Sequence, residues 1–205
     1  MSRSYLDYYE SKNIIPVSQS FNNTHRERRL ALYKMLSITP LTFNNSNVLE
    51  IGPGTGNLTE CILKTKPKSI TVVEKDTKLT NILKNKFNNQ VKIINNDVLK
   101  LSEDFYNEKF IVYGNLPYNI STRILALWCL NEKIKFKKLI LMFQKEVADR
   151  IIAKTNTKNY SRITILANWK FNIKKILDVS PECFSPSPKV KSTLLEFIPK
   201  EKIIN

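Results

Sequence analysis

Three of the chain's four glycines, Gly52, Gly54 and Gly56, fall within five residues. They follow the apolar run Val48-Leu49-Glu50-Ile51 directly and precede a stretch of helical period. Glycine adopts positive φ without steric cost, so a chain with so few glycines has concentrated its backbone freedom in one turn. A strand–turn–helix unit at a first β–α junction belongs to open sheets flanked by helices, which bind ligands beyond the carboxyl ends of their strands. The turn is expected to meet a ligand.

The rest of the chain agrees with such a sheet. From Asn47 onward, short β-rich runs alternate with helix-like segments, the pattern of a parallel sheet wrapped by helices. Strands are expected at Val48–Ile51, Ser69–Glu74, Val91–Asn95, Phe110–Gly114, Lys138–Phe143, Thr164–Phe171 and Ser192–Ile198. Helices are expected near residues 58–65, 78–87, 100–106, 121–130 and 145–153. The proline-rich segment Pro181–Lys189 cannot be helical, so the last two strands are expected to form an antiparallel pair closing one edge. Residues 47–205 then make one α/β domain, a seven-stranded, mostly parallel sheet with one antiparallel edge strand. Residues 1–46 differ in character and are expected to form a helical N-terminal segment. There Arg26, Arg28 and Arg29 suit either phosphate contact or a solvated helix face.

Composition narrows the partners. The formal net charge is +15, with 33 Lys and Arg against 18 Asp and Glu. Such an excess creates a positive field that favours a polyanion, although a coding bias toward Lys, Asn and Ile gives the same count. Cys61, Cys129 and Cys183 are far apart and odd in number, so neither a disulfide framework nor a zinc site is expected. His25 is the single histidine, which removes histidine-based triads and leaves no expected metal. No apolar run approaches the roughly 20 residues of a membrane span, and the start of the chain has no apolar signal core. A soluble, cytoplasmic monomer without a membrane partner is the expectation.

The glycine turn reads G-x-G-x-G, not the G-x-G-x-x-G of dinucleotide folds, and no G-x-x-x-x-G-K-[ST] for nucleoside triphosphates is present. Glu50, just before the first glycine, disfavours a pyrophosphate. A carboxylate there suits a cationic ligand such as the ammonium of a methionine moiety, so S-adenosylmethionine is the expected cofactor. Glu74 ends the second strand, where a carboxylate can accept hydrogen bonds from both ribose hydroxyls. Asp97, after the third strand, suits the amino group of the cofactor's adenine, with Val98 against the ring. Carboxylates often stand solvated at strand ends, but recurrence at three successive ends is a pattern.

After the fourth strand comes Asn115-Leu116-Pro117-Tyr118, an [NDS]-P-P-[YFW]-like tetrad. The lone pair of an exocyclic amine is delocalised into its ring, so the nitrogen is planar and weakly nucleophilic. The Asn115 side-chain oxygen and the Leu116 carbonyl suit the two amine hydrogens and would favour a pyramidal nitrogen. Pro117 stiffens the turn. Tyr118 offers an aromatic face to a base swung out of its stack. The plainer alternative is a strand-to-helix turn with Asn as cap and Tyr as core filler.

These residues resemble the ribosomal RNA adenine-N(6) dimethyltransferases of the KsgA type. The resemblance spans about Val48 to Pro199. It is carried by Glu50-Ile-Gly-Pro-Gly-Thr-Gly-Asn-Leu-Thr59, Asn115-Leu-Pro-Tyr-Asn-Ile-Ser-Thr122, Gln144-Lys-Glu-Val-Ala-Asp-Arg150 and Phe184-Ser-Pro-Ser-Pro-Lys-Val190. It implies the class I methyltransferase Rossmann-like fold, with ribosomal RNA or an immature small ribosomal subunit as partner. The implied reaction is dimethylation of two adjacent adenosines near the 3′ end of small-subunit ribosomal RNA. It also implies that Gly52, Glu74, Asp97 and Asn115 contact cofactor or target, with Gly54 and Gly56 expected at the cofactor from the glycine turn itself, and that Phe184 packs on the target base opposite Tyr118. From sequence alone Phe184 fits the core equally well. Lys145, Arg150, Arg162, Lys189 and Lys191, in or beside these segments, are candidates for RNA phosphates.

The family's N-terminal Q-N-F-L motif is represented by Gln19-Ser20-Phe21-Asn22, which makes Gln19, Ser20 and Asn22 candidate cofactor contacts within a segment that departs from the family pattern. The chain also ends just after the seventh strand, where family members usually continue into a small helical domain. Three other functions fit parts of the sequence. They are a non-catalytic RNA-binding or assembly factor on the same fold, a macrolide-resistance type methyltransferase of large-subunit RNA, and a DNA adenine or small-molecule methyltransferase.

Overall fold

The protein is described as a computed structural model, in which residues 45–181 and 189–201 are placed. Its centre is a seven-stranded sheet of β1 (Asn47–Ile51), β2 (Ser69–Glu74), β3 (Lys92–Asn95), β4 (Phe110–Asn115), β5 (Phe136–Gln144), β6 (Phe171–Val179) and β7 (Ser192–Pro199), ordered β3-β2-β1-β4-β5-β7-β6. The first five strands pair in parallel. β7 runs antiparallel to both neighbours, β5 and β6, so the final pair closes one end of the sheet with β6 outermost. Exposed Asn172, Lys174 and Lys175 on β6 blunt that edge against further pairing.

Helices α1 (Asn57–Lys64), α2 (Thr77–Phe87), α3 (Ser121–Leu130), α4 (Lys145–Ile151) and α5 (Arg162–Lys170) cover the sheet. Strands buried on both faces read as nearly continuous apolar runs, which is why β1, β2, β4 and β5 stand out in the sequence. Their side chains alternate between two cores. Val48, Val72, Tyr113 and Met142 pack with Leu58 and Ile62 of α1 and Leu83 and Phe87 of α2. Leu49, Val73, Val112 and Leu141 pack on the opposite face with Ile124 and Trp128 of α3, Ile151 of α4 and Ala167 of α5. An aromatic group of Tyr106, Trp128 and Phe136, in edge-on contacts at 5.1–6.4 Å, fills one end of that second core.

The expected strand at Thr164–Phe171 is a correction: residues 162–170 form α5, and the sixth strand begins at Phe171. Ile163, Thr164 and Ile165 read as a β-branched strand, but Ser161 and Thr164 form a reciprocal capping box that starts a helix. Ile163, Thr164, Ala167 and Lys170 then fall on its buried face. The helix expected near 100–106 is two short 3-10 turns, Val98–Lys100 and Glu103–Asn107. The helical segment expected over 1–46 lies, except for its last two residues, outside the described residues. Among the described residues no helix is long and apolar enough to cross a membrane, and no cluster of His, Cys, Asp or Glu could hold a metal ion.

Candidate active site

The chain leaves β1 through the glycine turn with Gly52, Gly54 and Gly56 at φ of 68°, 58° and 80°. The Gly52 N–H donates to the Val73 carbonyl at 3.0 Å and the Gly56 N–H to the Pro53 carbonyl at 2.9 Å. The three glycines serve different ends. A Cβ at Gly56 would lie 2.5 Å from Phe87 Cε2, so this position is required for packing α1 against α2. A Cβ at Gly54 would meet nothing within 4 Å, which leaves that backbone facing open space. A Cβ at Gly52 would lie 3.8 Å from the Asn115 carbonyl oxygen and 4.0 Å from Pro117 Cδ, so the glycine turn abuts the Asn115–Tyr118 tetrad.

The acidic residues stand beside it. Glu50 is 2% exposed and accepts a hydrogen bond from Thr59 Oγ1 at 2.7 Å. Burial pushes its carboxyl up to about 7; the Thr59 hydrogen bond opposes this, the charge of Glu74 adds to it, and Lys86 opposes it. Glu74 Oε2 accepts from the Gly54 N–H at 3.3 Å and Oε1 from the Asp76 N–H at 2.9 Å, tying the end of β2 to the glycine turn. Asp97 accepts from the Leu99 N–H at 3.0 Å and pairs with Lys75 Nζ at 3.0 Å. These two contacts, the Leu99 hydrogen bond foremost, hold its carboxyl below the ordinary range. Val98 is buried beside it. Asn95 Nδ2 donates to the carbonyls of Glu74 and Lys75 at 3.0 and 3.1 Å and fastens β2 to β3.

Strand order turns these separate positions into one site. Because β3, β2, β1 and β4 are neighbours, Asp97, Glu74, Glu50 and Asn115 follow one another along the carboxyl end of the sheet. The order reverses between β1 and β4, the switch point at which open α/β sheets form a crevice. The glycine turn borders that crevice on one side and Asn115 on the other.

Asn115 is the last residue of β4 and is exposed. Leu116 is 1% exposed, its side chain in the core, so only its backbone is available to a ligand. The Pro117 carbonyl accepts from the Ile120 N–H at 3.0 Å, closing the turn into α3. Tyr118 is half-buried. Its Oη lies 2.7 Å from Ser192 Oγ, and its carbonyl accepts from Ser121 Oγ at 3.2 Å.

Gln19, Ser20, Asn22, Arg26, Arg28, Arg29 and Phe184 lie outside the described residues. Arg150, Arg162, Lys189 and Lys191 are exposed, whereas Lys145 is ion-paired with Asp149 at 2.9 Å. The Lys145 N–H donates to the Lys191 carbonyl at 2.9 Å, which sets these two basic segments side by side. Cys61 and Cys129 are free thiols that burial pushes up to about 11 and about 12, so both are unreactive at neutral pH. Sequence reasoning missed Thr59, Lys75 and Ser192. Thr59 could have been found, since the third residue of a helix after a glycine turn faces back toward the preceding strand end. Ser192 is 74 positions from Tyr118 and carries no local signal.

Residues 24–205 match the ribosomal RNA adenine dimethylase family. The chain belongs to that family. A member from Pelagibacter ubique, ribosomal RNA small subunit methyltransferase A, is 57% identical over 176 residues, covering 84% of this chain and 66% of the relative. Among solved structures, a dimethyladenosine transferase from Plasmodium falciparum superposes with a TM-score of 0.72 at 31% identity, over 83% of this chain and 62% of that one. The 23S rRNA methyltransferase ErmE gives a TM-score of 0.70 at 25% identity, over 87% and 70% of the two chains. The chain thus spans just under two thirds of the curated relative. Its sheet is that of the class I methyltransferases, seven strands with β7 reversed.

Proposed function

We propose that this chain carries out S-adenosylmethionine-dependent methylation of the exocyclic amine of adenosine in ribosomal RNA, as dimethylation of adjacent adenosines in the small subunit. The observation that carries the reading is the close approach of the glycine turn to the Asn115–Tyr118 tetrad across the switch point. The residues fit the cofactor: Gly54 leaves open backbone, and three carboxylates stand in a row to receive an ammonium, a ribose and an adenine amine. Glu50 would face the ammonium, Glu74 the ribose hydroxyls, and Asp97 with Val98 the adenine. Bound there, S-adenosylmethionine supplies a methyl group on a sulfonium centre.

The chain's own residues do the rest. Asn115 Oδ1 and the Leu116 carbonyl accept the two hydrogens of the adenine amine and hold its lone pair toward the methyl group, an interaction that strengthens as positive charge develops on nitrogen. The Tyr118 ring stacks on the flipped base. The methylated ammonium is acidic enough to lose its proton to water, so no histidine base is needed. Exposed Arg150, Arg162, Lys189 and Lys191 suit RNA phosphates. The name of the Pelagibacter relative supports the small subunit as substrate.

The test is single-turnover methyl transfer from labelled S-adenosylmethionine to separated small and large ribosomal subunits. Asn115→Ala is expected to lower the rate on the order of 10²-fold or more while leaving RNA affinity nearly intact. A folded Asn115→Ala variant that works at the parental rate would remove adenine's claim as the target.

A further inference from the structure

Tyr118 is held at both ends. Its backbone sits in the Pro117–Ile120 turn that starts α3. Its hydroxyl reaches across to the start of β7 and meets Ser192 Oγ at 2.7 Å. Ser192 is fully buried and lies opposite Gln144 of β5 on one side and Val179 of β6 on the other, so its backbone is clamped between two strands. A serine hydroxyl on such a backbone has little freedom and makes a fixed anchor. The tyrosine side chain, by contrast, is only partly buried, and its torsions have more than one staggered well among which a contact must select.

We infer that Ser192 is a positioning residue: it fixes the plane of the Tyr118 ring through the hydroxyl pair, so that the face offered to the target base is set before the base arrives. This inference rests on the reading of Tyr118 as the stacking residue for a flipped adenine. It adds a requirement which stacking alone does not contain. An aromatic ring of any kind provides a stacking face, and the tetrad pattern admits Phe or Trp at this position. In this chain the phenolic hydroxyl is committed to a buried partner 74 positions away. The ring's orientation therefore depends on β7, the reversed strand between β5 and β6. Preorganisation of this kind raises the rate from the bound state, because the ring need not be ordered during turnover.

The experiment compares Tyr118→Phe, Ser192→Ala and the double variant in the full chain, using single-turnover methyl transfer to small ribosomal subunits at saturating RNA, with KM for RNA and cofactor affinity measured alongside. Each single variant is expected to lose about tenfold in rate, the scale of one net hydrogen bond, with cofactor affinity unchanged. The double variant is expected to lose no more than either single one, because both remove the same contact. A hydrogen bond that merely stabilised the fold would lower the melting temperature of each variant and leave the saturated rate at the parental value. That result, or losses that multiply in the double variant, overturns the inference. Should Ser192→Ala not fold, Tyr118→Phe decides alone, and a parental rate in it rejects the role of the hydroxyl. If the parental chain methylates neither subunit, the functional reading fails and takes this inference with it. If the parental chain is active, Tyr118→Ala is impaired and both hydroxyl deletions are silent, only the inference fails.

Discussion

Replacing Glu50 by Gln should make stability less dependent on pH. Glu50 is buried beneath the glycine turn, and desolvation moves its carboxyl from 4.5 up to about 7. An acid whose folded-state value is raised binds its proton more tightly in the folded than in the unfolded chain. Its contribution to stability is therefore complete below about 4.5 and is lost as pH rises toward and through about 7. At roughly 1.4 kcal/mol per pH unit, the span from 4.5 to about 7 amounts to a loss on the order of 3 kcal/mol. Gln has the same shape, its carbonyl can still accept the Thr59 hydroxyl, and it does not ionise. Chemical denaturation of both proteins from pH 4.5 to 8 should therefore show the parental chain falling relative to Glu50→Gln by on the order of 3 kcal/mol. Other titrating groups cancel in the difference, and any constant cost of the amide appears equally at every pH. Saturating S-adenosylmethionine should shrink the pH-dependent loss, because its ammonium favours the ionised carboxylate, and the variant should bind the cofactor more weakly. A difference between the two proteins that does not change with pH would refute the buried, proton-holding carboxyl.

Three further outcomes are expected. Glu74→Ala should weaken S-adenosylmethionine binding by about 1–3 kcal/mol in calorimetry, since it removes the proposed ribose acceptors and frees the Gly54 N–H; unchanged affinity would put the ribose elsewhere. Gly56→Ala should destabilise the fold by more than about 1 kcal/mol, because φ is 80° and the new Cβ would meet Phe87 at 2.5 Å; a denaturation midpoint equal to the parental one would contradict this. RNA affinity should fall with salt by a logarithmic slope of roughly 0.7–0.9 per phosphate contact, and a flat titration would assign the +15 charge to coding bias.

How much was legible from the residues follows from how local each signal is. The positive-φ turn at Gly52–Gly56 needs glycine, so it is written in the sequence and the structure places it as read. Strands β1, β2, β4 and β5 are apolar because both faces are covered, and an apolar run between turn residues needs no tertiary information to be seen. The same reasoning misled at Ile163-Thr164-Ile165. Intrinsic β preference there is outweighed by the Ser161 capping box and by burial of Ile163 and Ala167 in the core shared with α3 and α4. Propensity is worth tenths of a kcal/mol per residue, and packing an amphipathic face is worth more.

The sequence by itself determined the glycine turn and the Asn115–Tyr118 tetrad, because each is a short run of residues whose backbone and side chains act together. It also determined that carboxylates would stand at the ends of three successive strands. Only the tertiary structure decided that those strands are ordered β3-β2-β1-β4, which brings Asp97, Glu74, Glu50 and Asn115 into one row. Only the tertiary structure decided four further contacts. Glu50 is buried against Thr59, Lys170 Nζ caps the end of α3 by donating to the Trp128 and Asn131 carbonyls at 2.6 Å, and the Tyr118 hydroxyl ends on Ser192. Those pairs are 9, 42, 39 and 74 positions apart. Hydrophobic periodicity encodes which face of an element is buried but not which element covers it. That choice belongs to the packing of the whole chain, where desolvation leaves each buried polar group to find its partner across the fold.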